Sequence, residues 1–122
     1  MAESETNIQR RIQLALSEAG CTIWRNETAG AYAGKPRGVR TAGCITLVSY
    51  RHITAGLCKG SSDLIGIAPC GRFLAVEVKT PRGRVSAEQR TFIDAVNAAG
   101  GIAGVCRSVD EALELIQTTI TP

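Results

Sequence analysis

The first 25 residues show the pattern of an amphipathic helix followed by a short strand. Apolar residues recur every three or four positions, a period that places them on one helical face. These residues are Ile8, Ile12, Ala15, Leu16 and Ala19. Thr6 and Gln9 have the spacing of a capping box at the helix start, and Gly20 favours its end. Residues 21 to 25 then predict a strand.

The next part of the chain divides into an irregular stretch and a strand. Residues 27 to 43 contain glycines, alanines, basic residues and Pro36 without periodicity, and this composition predicts a loop. Residues 45 to 53 (ITLVSYRHI) are rich in β-branched and aromatic side chains and predict a strand. We therefore expect a variable basic segment over residues 27–54 within a single domain that spans residues 1–122.

A β-hairpin is predicted further along the chain. Residues 61 to 79 (SSDLIGIAPCGRFLAVEVK) have the pattern of two mostly apolar strands around a turn at 69 to 71. Side chains alternate between the two faces of a strand, so Glu77 and Lys79 share one face. Two charged residues on one face of an otherwise apolar strand indicate a specific role.

Helices and a strand follow the hairpin. Ser86 and Gln89 have capping-box spacing at the start of a second helix, and the glycines at 100 and 101 end it. A strand over residues 102 to 106 precedes a final helix capped at Ser108. This order predicts an α/β fold with a central mixed sheet flanked by helices and an extra carboxy-terminal helix.

The composition is that of one globular domain. The chain has 122 residues, of which 44% are hydrophobic and 20% charged. Its apolar runs are shorter than the roughly 20 residues of a membrane-spanning helix, and its first residues lack the order of a signal peptide, so we expect a cytoplasmic protein. Five cysteines without a C-x-x-C pair predict reduced, mostly buried thiols rather than disulfides or a zinc site.

Positive charge is concentrated in the middle of the chain. Residues 25 to 90 hold eleven Lys or Arg and four Asp or Glu, a local net charge of +7. Such a segment is either a solvated face or a surface for a polyanionic partner, and charge alone does not separate the two.

The expected register of the hairpin brings two acids together. With a three-residue turn, the numbers of facing residues sum to about 140, which places Asp63 opposite Glu77. Opposed like charges destabilise a sheet unless a cation lies between them. Two carboxylates that leave positions for water and phosphate oxygens fit Mg²⁺ better than Zn²⁺.

This set of residues resembles a known signature. Ser62-Asp63 followed by Glu77-Val78-Lys79 is similar to the PD-(D/E)xK nuclease motif, with serine where the motif has proline. With GSSDLIGI, AVEVKTPRGRVSAEQR and the order of elements, almost the whole chain resembles the VRR-NUC (virus-type replication-repair nuclease) domain of that superfamily. The resemblance implies a restriction-endonuclease-like αβββαβ core.

The resemblance also implies a metal-dependent nuclease and a role for each matching residue. Lys79 would orient and help deprotonate the attacking water, and Gln89 would steady that lysine or the phosphate. Glu5 would be an auxiliary acid near the metal. The expected reaction cleaves structured DNA, branched or Holliday-junction-like, and leaves a 5′-phosphate and a 3′-hydroxyl. The expected ligands of Mg²⁺ or Mn²⁺ are Asp63, Glu77 and the main-chain carbonyl of Val78.

Basic residues around this set would contact DNA phosphates in a salt-dependent way. They are Arg25, Lys35, Arg37, Arg40, Arg82 and Arg84. Few aromatic residues are present for base stacking, which favours recognition of backbone shape. One chain offers one site while a junction needs two cuts, so we expect a homodimer. The family implies a bacterial or phage-infected host cell, and the sequence leaves a helicase or replication partner open.

Plainer interpretations exist for the same residues. Glu77 and Lys79 also fit an exposed pair on an edge strand. Asp63 also fits a residue that caps a turn, and Gln89 fits the capping-box partner of Ser86. A non-catalytic nucleic-acid-binding or assembly module with the same fold is the alternative function. A domain whose basic face has no binding role is the third possibility.

Overall fold

The computed structural model describes residues 3–27, 30–41, 43–54 and 56–117. No helix in these ranges is both long enough and apolar enough to span a bilayer. The elements in chain order are α1 (Glu5–Glu18), β1 (Thr22–Arg25), β2 (Gly30–Thr41), β3 (Cys44–Thr54), β4 (Leu64–Ile67), β5 (Phe73–Val78), α2 (Ala87–Ala98), β6 (Ile102–Cys106) and α3 (Val109–Gln117).

Four strands form a central mixed sheet in the order β1-β4-β5-β6. β4 lies antiparallel to both β1 and β5, whereas β5 and β6 are parallel and joined through α2. Without the β2–β3 pair, the order is α1-β1-β4-β5-α2-β6, which is the predicted αβββαβ core, and α3 is the predicted extra helix. The predicted α/β fold with a central mixed sheet is confirmed.

The strands β2 and β3 form a separate two-stranded antiparallel sheet. The predicted loop over residues 27 to 43 is therefore wrong, because Gly30–Thr41 is a strand. Its glycine-rich sequence has weak intrinsic β-propensity, and pairing with the more typical strand β3 orders it. Pro36 is tolerated because both strands of a two-stranded sheet are edge strands. Two register shifts interrupt the pairing, and Ser49 adopts a φ of 52° beside one of them.

The main hydrophobic core lies between the sheet and the helices α1 and α3. Leu74, Val76 and Val78 of β5 point to this side and are fully buried. The helices supply Ile8, Ile12, Leu16, Ala112 and Ile116. On the other side of the sheet, Ile93 of α2 packs against Ala75 and Ala103 in a smaller cluster.

Two local predictions need correction. The first helix is capped by Ser4, whose Oγ accepts a hydrogen bond from the Asn7 N–H at 3.2 Å, so the predicted capping box at Thr6 is wrong. Ser4 precedes Thr6 and allows the helix to start earlier. The prediction of mostly buried cysteines fails at Cys58 and Cys70, which are exposed, and holds for Cys21 and Cys106, which are buried. The side chain of Cys44 lies outside the described part of the chain.

The hairpin of β4 and β5 has the predicted register. Facing pairs run from Leu64 with Val76 to Ile67 with Phe73, so their numbers sum to 140. The Ala68 N–H donates to the Arg72 carbonyl at 2.9 Å and closes the turn.

Candidate active site

Glu77 lies on the central strand β5 and is 1% exposed. Because β5 is hydrogen-bonded to β4 on one side and β6 on the other, the interpretation of Glu77 as part of an exposed pair on an edge strand is wrong. A buried carboxyl group on a central strand is costly unless it is protonated, paired or bound to a cation.

Asp63 lies directly before β4 and continues the register of the hairpin opposite Glu77. Its Oδ2 accepts a hydrogen bond from the Val78 N–H at 2.9 Å, which draws the side chain across to β5. Its main-chain carbonyl accepts from the Asn26 N–H at 2.7 Å. Hydrogen bonds from the main chain of β5 and from the residue directly after β1 thus fix the half-buried Asp63.

The two acids interact strongly. The pKa of Glu77 is raised to about 9, mainly by burial and then by a hydrogen bond with Asp63 and the charge of Asp63. The charge of Lys79 opposes this rise, and that of Glu5 adds a smaller contribution to it. Near neutral pH and without metal, Glu77 therefore keeps a proton that it can share with Asp63. Glu77 Oε1 is buried and has no hydrogen-bond partner among the described residues.

This arrangement fits a hard divalent cation. A buried carboxyl oxygen without a partner, next to a second carboxyl group, is the donor set that Mg²⁺ or Mn²⁺ would satisfy. No group of three His, Cys, Asp or Glu side chains able to hold a metal occurs in the described ranges. A bound ion would thus depend on Asp63, Glu77, main-chain oxygen and water.

Lys79 and Glu5 are charged residues from two different elements, and both affect the pKa of Glu77. Lys79 follows β5, and its main-chain N–H donates a hydrogen bond to the Cys106 carbonyl at 3.2 Å. Glu5 is the first residue of α1. Both residues are half-buried, and the charge of each acts on Glu77: that of Lys79 lowers its pKa and that of Glu5 raises it.

Gln89 has a structural role at the start of α2. Its Oε1 accepts from the Ser86 N–H at 2.9 Å, while the Ser86 Oγ accepts from the Gln89 N–H at 3.1 Å, so the predicted capping box is confirmed. Gln89 also lines the cleft described next, which is compatible with a second role.

A polar cleft of about 590 Å³ opens beside Asp63. It lies between α1, the residues after β1, the segment before β4 and the start of α2. The residues that line it include Gln9, Arg25, Asn26, Lys59, Ser61 and Gln89. Arg25 pairs with Glu27 at 2.6 Å, and Lys59 pairs with Glu88 at 3.4 Å.

The other predicted basic residues occupy two places. Arg82 and Arg84 are exposed in the turn directly after Lys79. Lys35 is exposed on the β2–β3 hairpin and does not line the cleft. Arg37 and Arg40 belong to β2, but their side chains lie outside the described part of the chain.

Asn26 is a buried residue to which the sequence did not assign a role. Its Nδ2 donates to Ser61 Oγ at 2.8 Å and to the Ser62 carbonyl at 2.9 Å, and its Oδ1 accepts from the Leu57 N–H at 3.3 Å. These bonds connect the end of β1 to the segment that leads into Asp63. Its partners are more than 30 residues away along the chain, so no local sequence pattern identifies them.

Comparisons with known proteins agree with this architecture. A solved structure described as a VRR_NUC domain superposes with a TM-score of 0.56 at 18% identity, over 93% of this chain and 94% of that chain. At such low identity the superposition shows a shared fold. The search of curated proteins found no match. The family model of the VRR-NUC domain matches residues 36–110, more than half of the chain. The chain therefore belongs to the VRR-NUC domain family.

Proposed function

We propose that this protein is a Mg²⁺- or Mn²⁺-dependent endonuclease that hydrolyses phosphodiester bonds in structured DNA. Its family and fold are of nuclease type. The observation that carries the proposal is the buried Glu77, whose Oε1 lacks a partner among the described residues and which shares its site with Asp63 and Lys79.

Phosphodiester hydrolysis requires a positioned nucleophile and neutralisation of the charge on the phosphoryl oxygens. A metal ion held by Asp63, Glu77 and the Val78 carbonyl would supply that positive charge and activate a water molecule. Lys79 would orient the attacking water, accept or relay its proton, and offset charge on the phosphate. Glu5 would assist the acid pair, and Gln89 would contact Lys79 or the phosphate. The expected products carry a 5′-phosphate and a 3′-hydroxyl.

The DNA would approach along the cleft and the basic turn. Arg82 and Arg84 after Lys79 are exposed cations that can bind phosphates, and Arg25 at the cleft can do so by exchanging its exposed ion pair with Glu27 for a phosphate. Residues 30–54 contain four Lys or Arg, including Lys35, Arg37 and Arg40, and no Asp or Glu. A two-stranded ribbon fits a DNA groove, so we assign duplex contacts to the hairpin.

An exposed apolar surface supports the proposal of a homodimer. Trp24, Ile67 and Phe73 are 52%, 45% and 42% exposed. The strand registers place them, with Ile65, on one face of β1, β4 and β5. Among the described elements, α2 packs on this face mainly over β5 and β6. A second copy that covers this surface would provide two active sites for two strand cuts.

The test is cleavage of end-labelled four-way junction, duplex and single-stranded DNA in Mg²⁺ or Mn²⁺, with and without EDTA. We expect metal-dependent cleavage by the wild type and a loss of at least about a hundredfold in kcat for Lys79→Ala. Glu18→Ala, a change at an exposed acid of α1, is the control. Equal activity of wild type and Lys79→Ala would contradict the proposal. Binding without cleavage in either metal would favour the non-catalytic module.

A further inference from the structure

An arginine directly after the neighbouring strand β6 holds the turn that follows Lys79. Because β5 and β6 are parallel and end side by side, Lys79 and Arg107 leave the sheet next to each other. Arg107 Nη1 donates to the main-chain carbonyl of Thr80 at 2.6 Å and to that of Gly83 at 2.8 Å. A charged donor to two carbonyls is a strong constraint on a short turn.

The same turn packs against the side chain of Lys79. The Gly83 N–H donates to the Thr80 carbonyl at 3.0 Å and closes the turn. A Cβ added at Gly83 would lie 3.3 Å from both Cβ and Cδ of Lys79, so the glycine backbone rests on the methylene stem of the lysine. Any shift of the turn changes the space that the stem can occupy.

Arg107 is itself fixed by the start of α3. Its N–H donates to Glu111 Oε1 at 2.7 Å, and the Glu111 N–H donates to Ser108 Oγ at 3.2 Å. The side chain of Arg107 is half-buried beneath the turn. The amino-terminal cap of α3, Arg107, the turn and Lys79 thus form one continuous set of contacts.

We propose that Arg107 is a positioning residue for Lys79, which it orients through the turn from Thr80 to Gly83. The inference rests on the proposed function, in which Lys79 serves the reaction. A lysine side chain has a flexible four-carbon stem, and its ordering costs conformational entropy. Arg107 places the turn on that stem and so restricts the positions of the ammonium before substrate binds.

The first test does not need nuclease activity. Lys79 is acetylated with an N-hydroxysuccinimide ester in the wild type and in Arg107→Gln, and the rate at each lysine is read by mass spectrometry. We expect Lys79 to be acetylated at least three times faster in Arg107→Gln than in the wild type. The exposed Lys59 is the internal reference, and its acetylation rate should be the same in both proteins. Trypsin should also cut faster after Arg82. Unchanged rates at both positions would overturn the proposal.

The second test measures cleavage. Arg107→Gln should lower kcat at least tenfold with KM for DNA changed less than threefold, and Arg107→Lys should restore part of kcat. Arg10→Gln, which removes an exposed charge from α1, is the matched control. Gly83→Ala leaves Arg107 intact and should also lower kcat. In a Lys79→Ala background, Arg107→Gln should cause no further loss.

Equal losses of kcat in the two backgrounds would overturn the proposal, because Arg107 would then act on general stability or on DNA binding. If the wild type cleaves no DNA, the proposed function fails, and the labelling rates alone decide whether Arg107 orders Lys79.

Discussion

The two faces of β5 differ in what they bury. On one face, Leu74 and Val76 are fully buried against α1 and α3 in the main core. On the other, Ala75 packs under α2 while Glu77 is equally buried among acids and a lysine. Alternate residues of one strand thus serve stability on one face and the proposed chemistry on the other. Substitutions on the core face should lower stability but not kcat, and substitutions of Glu77 should lower kcat but not stability.

The largest expected effect is on the chemical face. Glu77→Gln keeps the size of the side chain and removes one of the two acids, so kcat in Mg²⁺ should fall by a factor on the order of 10³. In the metal-free protein the raised pKa of about 9, against an ordinary 4.5, means that wild-type stability falls as pH rises between these values. The Glu77→Gln variant lacks this pH-dependent loss of stability, because a glutamine side chain does not ionise.

Thermal unfolding of both proteins at pH 8 in EDTA checks this contrast. The Glu77→Gln variant should unfold at the wild-type temperature or above it, although it is inactive. If the variant unfolds at a temperature well below that of the wild type, Glu77 supports the fold. Stability and chemistry would then not be divided between the two faces of β5.

The opposite signature is expected on the core face. Leu74→Ala leaves a cavity under α1 and α3, and should lower the free energy of unfolding by about 2–5 kcal/mol. Urea denaturation measures this change. The folded fraction should retain the wild-type kcat. A loss of kcat without a loss of stability would contradict the assignment of this face to stability.

Asn26 should show a mixed effect, because it links β1 to the segment that carries Asp63. Asn26→Ala removes buried hydrogen bonds to Ser61, Ser62 and Leu57, and should cost about 1–3 kcal/mol of stability. It should also weaken metal binding, measured by the concentration of Mn²⁺ that gives half-maximal activity. An unchanged metal requirement would limit Asn26 to a role in folding.

The smallest effect concerns Ser62, which stands where the nuclease signature has proline. Its hydroxyl is fully buried and has no partner in the described part of the chain. Ser62→Ala should therefore raise the free energy of unfolding by up to about 1 kcal/mol without a change in kcat. A loss of stability in urea denaturation would indicate that the hydroxyl is satisfied.

Local patterns predicted the elements that depend on neighbouring residues. The capping box at Ser86 and the turn of the β4–β5 hairpin are set within a few positions, so the register that brings Asp63 to Glu77 followed from the turn length. The start of α1 is less certain from sequence because Ser4 and Thr6 are both good caps, and the folded chain uses Ser4.

The remaining features depend on distant parts of the chain. Glu77 is buried because β6 adds in parallel beyond α2 and turns β5 into a central strand, which its own sequence does not reveal. The strand Gly30–Thr41 exists through pairing with β3. Asn26 and Arg107 act through partners more than 20 residues away, beyond the reach of local patterns.

The most direct test of the acid pair is calorimetric titration of the metal-free protein with Mn²⁺ at pH 6.5 and 7.5. Burial beside Asp63 holds the pKa of Glu77 near 9, so a bound ion must displace a proton. We predict one strong site per chain, an affinity that rises about tenfold per pH unit, and its loss in Glu77→Gln and Asp63→Asn. Binding with the same affinity at both pH values, or binding that survives both substitutions, would contradict the account.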